Sequence, residues 1–237
     1  MKGIVMIKRR SIKLSLFLIC TFWLSLSAGL VELIKVIPSI RLDIRYATTN
    51  NFTNKVVYPS ARCFLQEEAA NALAEVQKEL SAQGLGLKVF DGYRPLAIQR
   101  IFWNICSDER YVANPAKGSK HNRGSAVDLT LIDLKTGNEL VMPSGYDDMS
   151  EKAHRNYDAM TDEAKKNCKL LEDSMIKHGF IALPTEWWHF DYKTWKNNPI
   201  LDISFEEIDM QQQAQIKVVA LNDHENKQIE MIPVPAA

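Results

Sequence analysis

Hydrophobic residues recur at helical spacing in two stretches of the chain, and a third stretch has the charged ends of a helix, so three helices are predicted. The first runs from Leu65 to Gln83 and stops at Gly84, a residue suited to the left-handed conformation that ends many helices. The second begins at Pro95, because a proline in the first turn of a helix costs no hydrogen bond. The third covers residues 161–178, with acidic residues in its first turn and basic residues in its last. The repeated apolar positions are Leu73, Val76 and Leu80 in the first helix and Ile98, Ile101, Phe102 and Ile105 in the second.

Apolar and β-branched runs between these helices predict strands. They cover residues 87–90, 126–132, 139–142, 180–183 and 187–192, with a further short extended segment within residues 38–46. The turn-like stretch after the first of these strands places Arg94 at a junction between a strand and a helix. Because the connections resemble hairpins more than βαβ units, the predicted fold class is α+β, a mainly antiparallel sheet flanked by helices.

The N-terminal part of the chain has the composition of an export signal. An uncharged run from Leu14 to Val31 follows five cations: Lys2, Lys8, Arg9, Arg10 and Lys13. Small residues that suit a signal peptidase close the run: Ser25, Ser27, Ala28 and Gly29. We therefore expect residues 1–29 to be a signal peptide of a periplasmic protein. The run also has about the length of the shortest membrane-spanning helix, which leaves an inner-membrane anchor as the alternative.

The remaining sequence predicts one domain, residues 30–205, and a weakly structured extension, residues 206–237, with a possible strand at Ile203–Ile208. Lys plus Arg equals Asp plus Glu at 29 each, so no net field favours nucleic acid. We expect no nucleic-acid partner, and membrane contact only through an uncleaved N-terminal segment. The sequence does not determine the oligomeric state. Three cysteines follow the leader, and free thiols or one disulfide both remain open: Cys63, Cys106 and Cys168.

Two distant stretches carry the residue types of a hydrolytic zinc site. Such sites use three protein ligands and leave a fourth position open for water. His121 and Asp128 are separated by an odd number of residues, so one regular strand would turn them to opposite faces. We therefore expect His121 to lie in a loop, Asp128 in a strand, and Gly124 to form a sharp bend between them.

The second stretch also contains two candidate residues at an odd separation. Glu186 and His189 would also face apart in an unbroken strand, which predicts that Glu186 lies in an irregular entry after Pro184 and that His189 lies within the strand. Glu186 in that position suits a general base better than a fourth ligand. Each residue alone is more often structural, and the joint pattern is what makes the hypothesis specific.

These motifs resemble those of the zinc D-alanyl-D-alanine dipeptidases of the VanX type. The wider group of D-Ala-D-Ala metallopeptidases also includes D,D-carboxypeptidases and the hedgehog signalling domain. The similar segments occur in family order and are Arg45–Thr48 with Asn51–Thr53, Asp91–Pro95, Ser119–Leu131, Tyr146–Met149 and Glu186–Phe190.

The resemblance implies roles for individual residues. It implies one Zn²⁺ per chain, bound by His121, Asp128 and His189, with Glu186 as the catalytic acid/base and Arg94 as the cation that stabilises the oxyanion. It also implies that a small D,D-dipeptide pocket is lined by Tyr46, Ser119 and Asp147. Within that pocket Asp147 would bind the substrate ammonium, with neighbouring Asp148 as its competitor, and Ser119 would face the carboxylate end.

The implied activity is hydrolysis of D-Ala-D-Ala to free D-alanine in cell-wall peptide turnover. Two alternatives keep the same metal site. One is a D,D- or L,D-carboxypeptidase that acts on longer peptidoglycan peptides, and the other is a zinc-containing module that binds peptidoglycan without cleaving it.

Overall fold

The computed structural model describes residues 29–230, with side chains to residue 221. Almost all of the predicted signal peptide or anchor, residues 1–28, lies outside the described residues. No helix among residues 29–230 is both long and apolar enough to cross a membrane. The chain divides into a compact unit at Gly29–Ile203 and a second unit, which within the described residues is residues 204–230.

Seven strands and four helices form the larger unit. In chain order they are β1 Leu30–Glu32, α1 Leu33–Val36, β2 Arg41–Leu42, β3 Phe64–Gln66, α2 Glu67–Ser81, β4 Leu85–Asp91, α3 Leu96–Ile105, β5 Ala126–Asp133, α4 Asp162–Lys177, β6 Phe180–Ala182 and β7 His189–Tyr192. Five strands form one sheet in the order β2-β4-β5-β7-β6, in which only β2 and β4 are parallel. β1 and β3 form a separate antiparallel pair. The predicted α+β class with a mainly antiparallel sheet is confirmed.

Helices α2 and α4 form because the spacing of their apolar residues and the residues at their ends both favour a helix over the same stretch. Leu73, Val76 and Leu80 of α2 are fully buried, and the helix packs beside β4. The hydroxyl of Thr161 accepts a hydrogen bond from the backbone N–H of Ala164 at 3.2 Å, which caps the start of α4. These two predicted helices are confirmed to within two residues at each end.

The predicted apolar face of α3 is only partly correct. Phe102 is buried, but Ile101 and Ile105 are 40% and 45% exposed, and Gln99 takes the inner position with no exposed surface. Gln99 lies inside because its amide accepts from Arg94 Nη1 at 2.8 Å and donates to the carbonyl of Ala113 at 2.7 Å. A paired polar group therefore occupies a site that the spacing of isoleucines had predicted to be apolar.

The predicted strand at residues 139–142 is also wrong, because only one isolated bridge forms, between Ile132 and Glu139. The cysteines Cys63, Cys106 and Cys168 are all free thiols.

The second unit is a helix, α5, Phe205–Glu230, where the sequence suggested a strand at Ile203–Ile208 and a weakly structured extension. Ser204 and Glu207 form a reciprocal capping box: the Ser204 N–H donates to Glu207 Oε2 at 2.7 Å, and the Glu207 N–H donates to Ser204 Oγ at 3.1 Å. The pattern Ser-x-x-Glu starts a helix at the point where apolar periodicity gave no signal.

Replacing Leu73 by alanine tests the packing of α2. The truncation leaves a cavity in the core, so we expect Leu73→Ala to lower the free energy of unfolding by about 2–5 kcal/mol. Leu134→Ala makes the same chemical change at a residue that is 42% exposed, and we expect it to cost less than about 0.5 kcal/mol. Urea unfolding monitored by circular dichroism measures both, and equal midpoints for the two variants would contradict α2 as a core helix.

Candidate metal centre

Three neighbouring strands bring one polar residue each to the same row of the sheet. Asp91 at the end of β4 is paired with Asp128 of β5, and Asp128 is paired with His189 at the start of β7. Directly paired residues of adjacent strands point to the same face. The register of β4 shifts between Val89 and Asp91, and this irregularity brings Asp91 into the row opposite Asp128.

His121 joins this row from outside the sheet, as the parity argument predicted. It begins a 3-10 turn, His121–Arg123, that ends at Gly124 in the left-handed conformation with φ +63°. The turn is held by buried polar contacts, because Ser119 Oγ accepts from the His121 N–H at 3.2 Å and Asn122 Oδ1 accepts from the Ser119 N–H at 2.7 Å. The chain therefore bends once, at Gly124, between His121 and the strand that carries Asp128.

The donor atoms of His121, Asp128 and His189 converge. His121 Nε2 lies 3.1 Å from His189 Nδ1 and 3.4 Å from Asp128 Oδ1, and the distance from His189 Nδ1 to Asp128 Oδ1 is 2.9 Å. All three side chains are buried, and the three donor atoms lie within 4.8 Å of one another. One ion with bonds of about 2.0–2.2 Å reaches all three, and two imidazoles with one carboxylate form a donor set that zinc accepts. The residues present fit such an ion.

The outer nitrogens of both imidazoles are already occupied. His121 Nδ1 lies 2.8 Å from the carbonyl oxygen of Gly92, so it donates to that oxygen and leaves Nε2 as the inward lone pair. His189 Nε2 lies 2.9 Å from Asp191 Oδ1, which leaves Nδ1 inward. Partners of this kind fix the tautomer and orientation of metal-binding histidines. Both rings are therefore oriented as ligands before any ion binds.

The electrostatics of this cluster favour a cation. Burial alone would lower the pKa of His189, but the hydrogen bonds that its ring donates to Asp128 and Asp191 outweigh burial and raise this pKa to about 10. Burial would likewise raise the pKa of Asp128, yet His121 and His189 hold it well below its usual range. The hydroxyl of Tyr146 donates to Asp128 Oδ2 at 3.0 Å, which leaves Oδ1 as the atom that faces the imidazoles.

Glu186 lies beside the cluster without belonging to it. It sits in the turn between β6 and β7, outside the strand, where the sequence placed it. Its Oε2 is 3.8 Å from His189 Nδ1, and its side chain is 25% exposed. Burial raises the pKa of Glu186 above its ordinary value. A carboxylate in contact with both the inward nitrogen and solvent is suited to accept a proton from water.

Arg94 is buried and held in one orientation. Its Nε and Nη2 donate to Asp91 Oδ2 at 3.1 and 2.6 Å, and its Nη1 donates to Gln99 Oε1 at 2.8 Å. The guanidinium carbon lies 5.4 Å from the ring centre of Tyr46 and 4.6 Å from that of Phe102. Burial opposes the charge, but Asp91 raises the pKa of Arg94 well above its ordinary value. Arg94 is therefore a buried, fixed cation and not part of an exposed ion pair.

Asp147 is the acidic group of the predicted pocket that faces the aromatic side chains. Its Oδ1 accepts from the hydroxyl of Tyr46 at 3.0 Å, its Oδ2 accepts from the Phe52 N–H at 3.3 Å, and its backbone is left-handed with φ +62°. Its competitor Asp148 instead accepts from the Ser150 N–H at 2.9 Å, a local turn contact. Burial, followed by the charge of Asp128, raises the pKa of Asp147 to about 7.

The sequence analysis overlooked several residues that orient this site. Asp91 and Asn122 lie inside the quoted motifs but were assigned no role; Asn122 Nδ2 donates to the carbonyl of Arg94 at 2.8 Å, and so joins the His121 turn to Arg94. Asp191 shares a strand face with His189, because residues i and i+2 point the same way. That alternation was available in the sequence and would have identified Asp191.

Comparisons with known proteins agree on one description. The family described as D-ala-D-ala dipeptidase matches residues 26–211. A D-alanyl-D-alanine dipeptidase of Escherichia coli (strain K12) is 38% identical over 176 residues, which cover 74% of this chain and 91% of that protein. A D-alanyl-D-alanine dipeptidase of Enterococcus faecium is 34% identical over 182 residues, which cover 68% and 90%.

Likeness to solved structures is weaker. A vancomycin-resistance D,D-pentapeptidase, a VanY mutant in complex with Zn(II), is 17% identical with a TM-score of 0.38, over 59% of this chain and 78% of that chain. A likeness of this size carries no conclusion about the site.

Gly124→Ala tests the bend that positions His121. An added Cβ would overlap Leu30 Cδ2 and lie 3.3 Å from the backbone nitrogen of Gln66, in addition to the cost of the left-handed conformation. Gly137→Ala is the matched control, because Gly137 is also left-handed, at φ +75°, but its Cβ would meet nothing within 4 Å. We expect the free energy of unfolding to fall by about 1 kcal/mol in the control and by more in Gly124→Ala. Gly124→Ala should also bind zinc more weakly, as measured by chelator competition. Equal losses and unchanged zinc affinity would contradict a tight bend.

Proposed function

The chain belongs to the D-ala-D-ala dipeptidase family, and from this premise we propose that it hydrolyses the D-alanyl-D-alanine dipeptide to free D-alanine at a single zinc ion. The observation that carries the proposal is the convergence of three buried donor atoms with one carboxylate beside them. That arrangement provides three protein ligands, an open side and a base, which are the components of a hydrolytic zinc centre.

In this proposal His121, Asp128 and His189 hold one Zn²⁺ per chain. When bound, the ion polarises the scissile carbonyl and lowers the pKa of the attacking water. The family match supports this metal, and so do the oriented imidazoles, whose outer nitrogens are bonded to Gly92 and Asp191.

Glu186 transfers the proton in the proposed reaction, and Arg94 stabilises the negative charge that develops. Glu186 takes a proton from the attacking water and returns it to the leaving amine, a task favoured by the raised pKa of its buried carboxyl group. Arg94 stabilises the negative charge that develops on the carbonyl oxygen. Asp91 and Gln99 already fix its guanidinium, so no reorganisation is needed as that charge forms.

The substrate pocket lies on the side of the aromatic residues. We assign the ammonium of the dipeptide to Asp147, whose carboxylate is supported by Tyr46, and the terminal carboxylate to the region of Ser119. Ser119 also caps the His121 turn, so its replacement would affect both binding and the metal centre.

We further propose that the enzyme acts in the periplasm on dipeptide released during cell-wall turnover. The support is the basic and apolar N-terminal composition, which suits an export signal. N-terminal sequencing of protein recovered from the periplasmic fraction tests this assignment. Recovery only in the membrane fraction with residues 1–29 intact would favour the anchor instead.

Glu186→Gln tests the proposed base. The substitution keeps the shape of the side chain and removes its proton acceptor, so we expect D-alanine release from D-Ala-D-Ala to fall by about 10²- to 10⁴-fold while bound zinc is retained. Glu163→Gln, in the exposed first turn of α4, is the control and should leave the rate unchanged. Chelation should abolish wild-type turnover and added zinc should restore it. Full turnover by the Glu186→Gln enzyme would remove Glu186 from this role.

The pKa of Asp147 predicts how substrate binding depends on pH. Burial and the charge of Asp128 raise this pKa to about 7, against the opposing effects of Tyr46, the Phe52 N–H and Arg94. The carboxyl is neutral below that pH and cannot pair with an ammonium. We expect KM for D-Ala-D-Ala to rise about tenfold per unit as pH falls below about 7, and Asp147→Asn to have a high KM without this dependence. A pH-independent KM in the wild-type enzyme would contradict the assignment.

A blocked substrate separates the dipeptidase from the carboxypeptidase alternative. If Asp147 requires a free ammonium, an N-acylated tripeptide ending in D-Ala-D-Ala should be cleaved at least about 100-fold more slowly than the dipeptide, because its acylated nitrogen has no positive charge to pair with Asp147. Comparable rates for both peptides would favour the carboxypeptidase. Binding of peptidoglycan fragments without turnover would favour the non-catalytic module.

A further inference from the structure

The Glu186 loop, residues 183–189, is closed at both ends by a single side chain. Arg155 Nε donates to the carbonyl of Leu183 at 2.9 Å, and Arg155 Nη2 donates to the carbonyl of His189 at 3.0 Å. Leu183 is the first residue of the loop and His189 the last, and Glu186 lies midway between them. One planar guanidinium therefore bridges the two ends of the segment that carries the proposed base.

The loop's own hydrogen bonds are long. The N–H of Leu183 donates to the carbonyl of His189 at 3.3 Å, the N–H of Glu186 to that of Leu183 at 3.3 Å, and the N–H of His189 to that of Glu186 at 3.4 Å. The usual N–H···O distance is about 2.9–3.0 Å, so both bonds from Arg155 are shorter than any of these three. They are also charge-assisted, which makes them about twice as strong as neutral ones. The geometry of the loop thus depends on Arg155 more than on its internal bonds.

Arg155 is itself held firmly. Its guanidinium carbon lies 4.4 Å from the ring centre of Phe190, and Nη1 pairs with Glu172 at 3.4 Å. Its side chain is only 9% exposed. Its backbone N–H donates to the carbonyl of Pro184 at 3.0 Å, which adds a third attachment to the loop. Because of these restraints the Arg155 side chain has a fixed position, and the loop that it binds is held in place by it.

We propose that Arg155 is a positioning residue that holds the carboxylate of Glu186 at the working distance from the metal centre. This inference rests on the proposed function, because it assigns Arg155 a part in the same reaction without contact to substrate or metal. The loop also carries His189 at its end, but β7 pairs that residue with Asp128 in the sheet and Asp191 binds its ring. Glu186 lies outside the strand, and its neighbour Trp187 is attached through its backbone N–H to the Ala153 carbonyl at 2.9 Å and through its indole N–H to Ser144 Oγ at 3.0 Å. Loss of Arg155 therefore affects Glu186 more than His189.

Arg155→Lys is the informative variant, because it keeps the positive charge and most of the stem. A single ammonium cannot reproduce the planar fork that reaches both carbonyls. We expect kcat for D-Ala-D-Ala to fall by about 10- to 100-fold, since a displacement of about 1 Å at a catalytic group has that effect. KM and the zinc content should stay within about twofold of wild type. Arg110→Lys makes the same chemical change at an arginine whose side chain is 75% exposed, and it should leave kcat unchanged.

A double-mutant cycle tests whether Arg155 acts through Glu186. In a Glu186→Asp background, whose shortened carboxylate is already misplaced, Arg155→Lys should cost much less than it does alone. Fully additive losses would overturn the proposal, and so would an unchanged kcat in Arg155→Lys or a fall in kcat matched by an equal loss of zinc.

Amide hydrogen exchange provides a readout that does not depend on turnover. The amides of Glu186 and His189 should exchange faster in Arg155→Lys than in wild type, while those of α2 stay protected. Unchanged exchange in the loop would overturn the proposal even if the enzyme proves inactive on D-Ala-D-Ala. Absence of turnover in the wild-type protein together with faster loop exchange in Arg155→Lys would instead count against the proposed function. It would still support the role of Arg155 in holding the Glu186 loop.

Discussion

The register of three antiparallel strands is the constraint on which the metal centre depends. Asp128 and His189 lie side by side because β5 and β7 pair in a fixed register, and the register shift in β4 between Val89 and Asp91 places Asp91 opposite Asp128. A slip of one residue in any of these strands would turn its polar side chain to the opposite face. The buried apolar residues of β5, which alternate with the polar ones, resist such a slip because it would move them too. Core packing and site geometry are thus maintained by the same pairing.

Burial of so many polar groups is tolerated because nearly all of them have a hydrogen-bond partner. Asp91 accepts from Arg94, from the hydroxyl of Tyr58 at 2.7 Å and from the Gly92 N–H at 2.9 Å. Among the described residues, Thr130 Oγ1 is the only fully buried side-chain oxygen or nitrogen without a hydrogen bond. A network satisfied to this degree is rigid, which suits the proposed roles of the metal ligands and of Arg94, because these groups are then in place before the substrate binds.

The odd separations between candidate residues predicted the local geometry of the site. Because side chains alternate with period two along a strand, the odd separations around His121 and Glu186 required a break in each stretch, and the structure has a break at both places. Sequence reasoning failed where a tertiary partner decides the outcome. Gln99 is buried in place of Ile101 because Arg94 lies within reach, a contact that no local pattern contains. The helix after Ser204 was missed for a different reason, since its signal is a capping box and not an apolar stripe.

Tyr146 and Asp147 are adjacent in the chain and bind in two different places. The hydroxyl of Tyr146 donates to Asp128, and the carboxylate of Asp147 accepts from Tyr46. With the proposed roles, a single peptide unit sets the spacing between the ion and the point where the substrate's amino group is gripped. The fixed distance between the ion and Asp147 would then select the length of the substrate. A peptide one residue longer could not place its scissile carbonyl at the ion and its amino group at Asp147 at the same time.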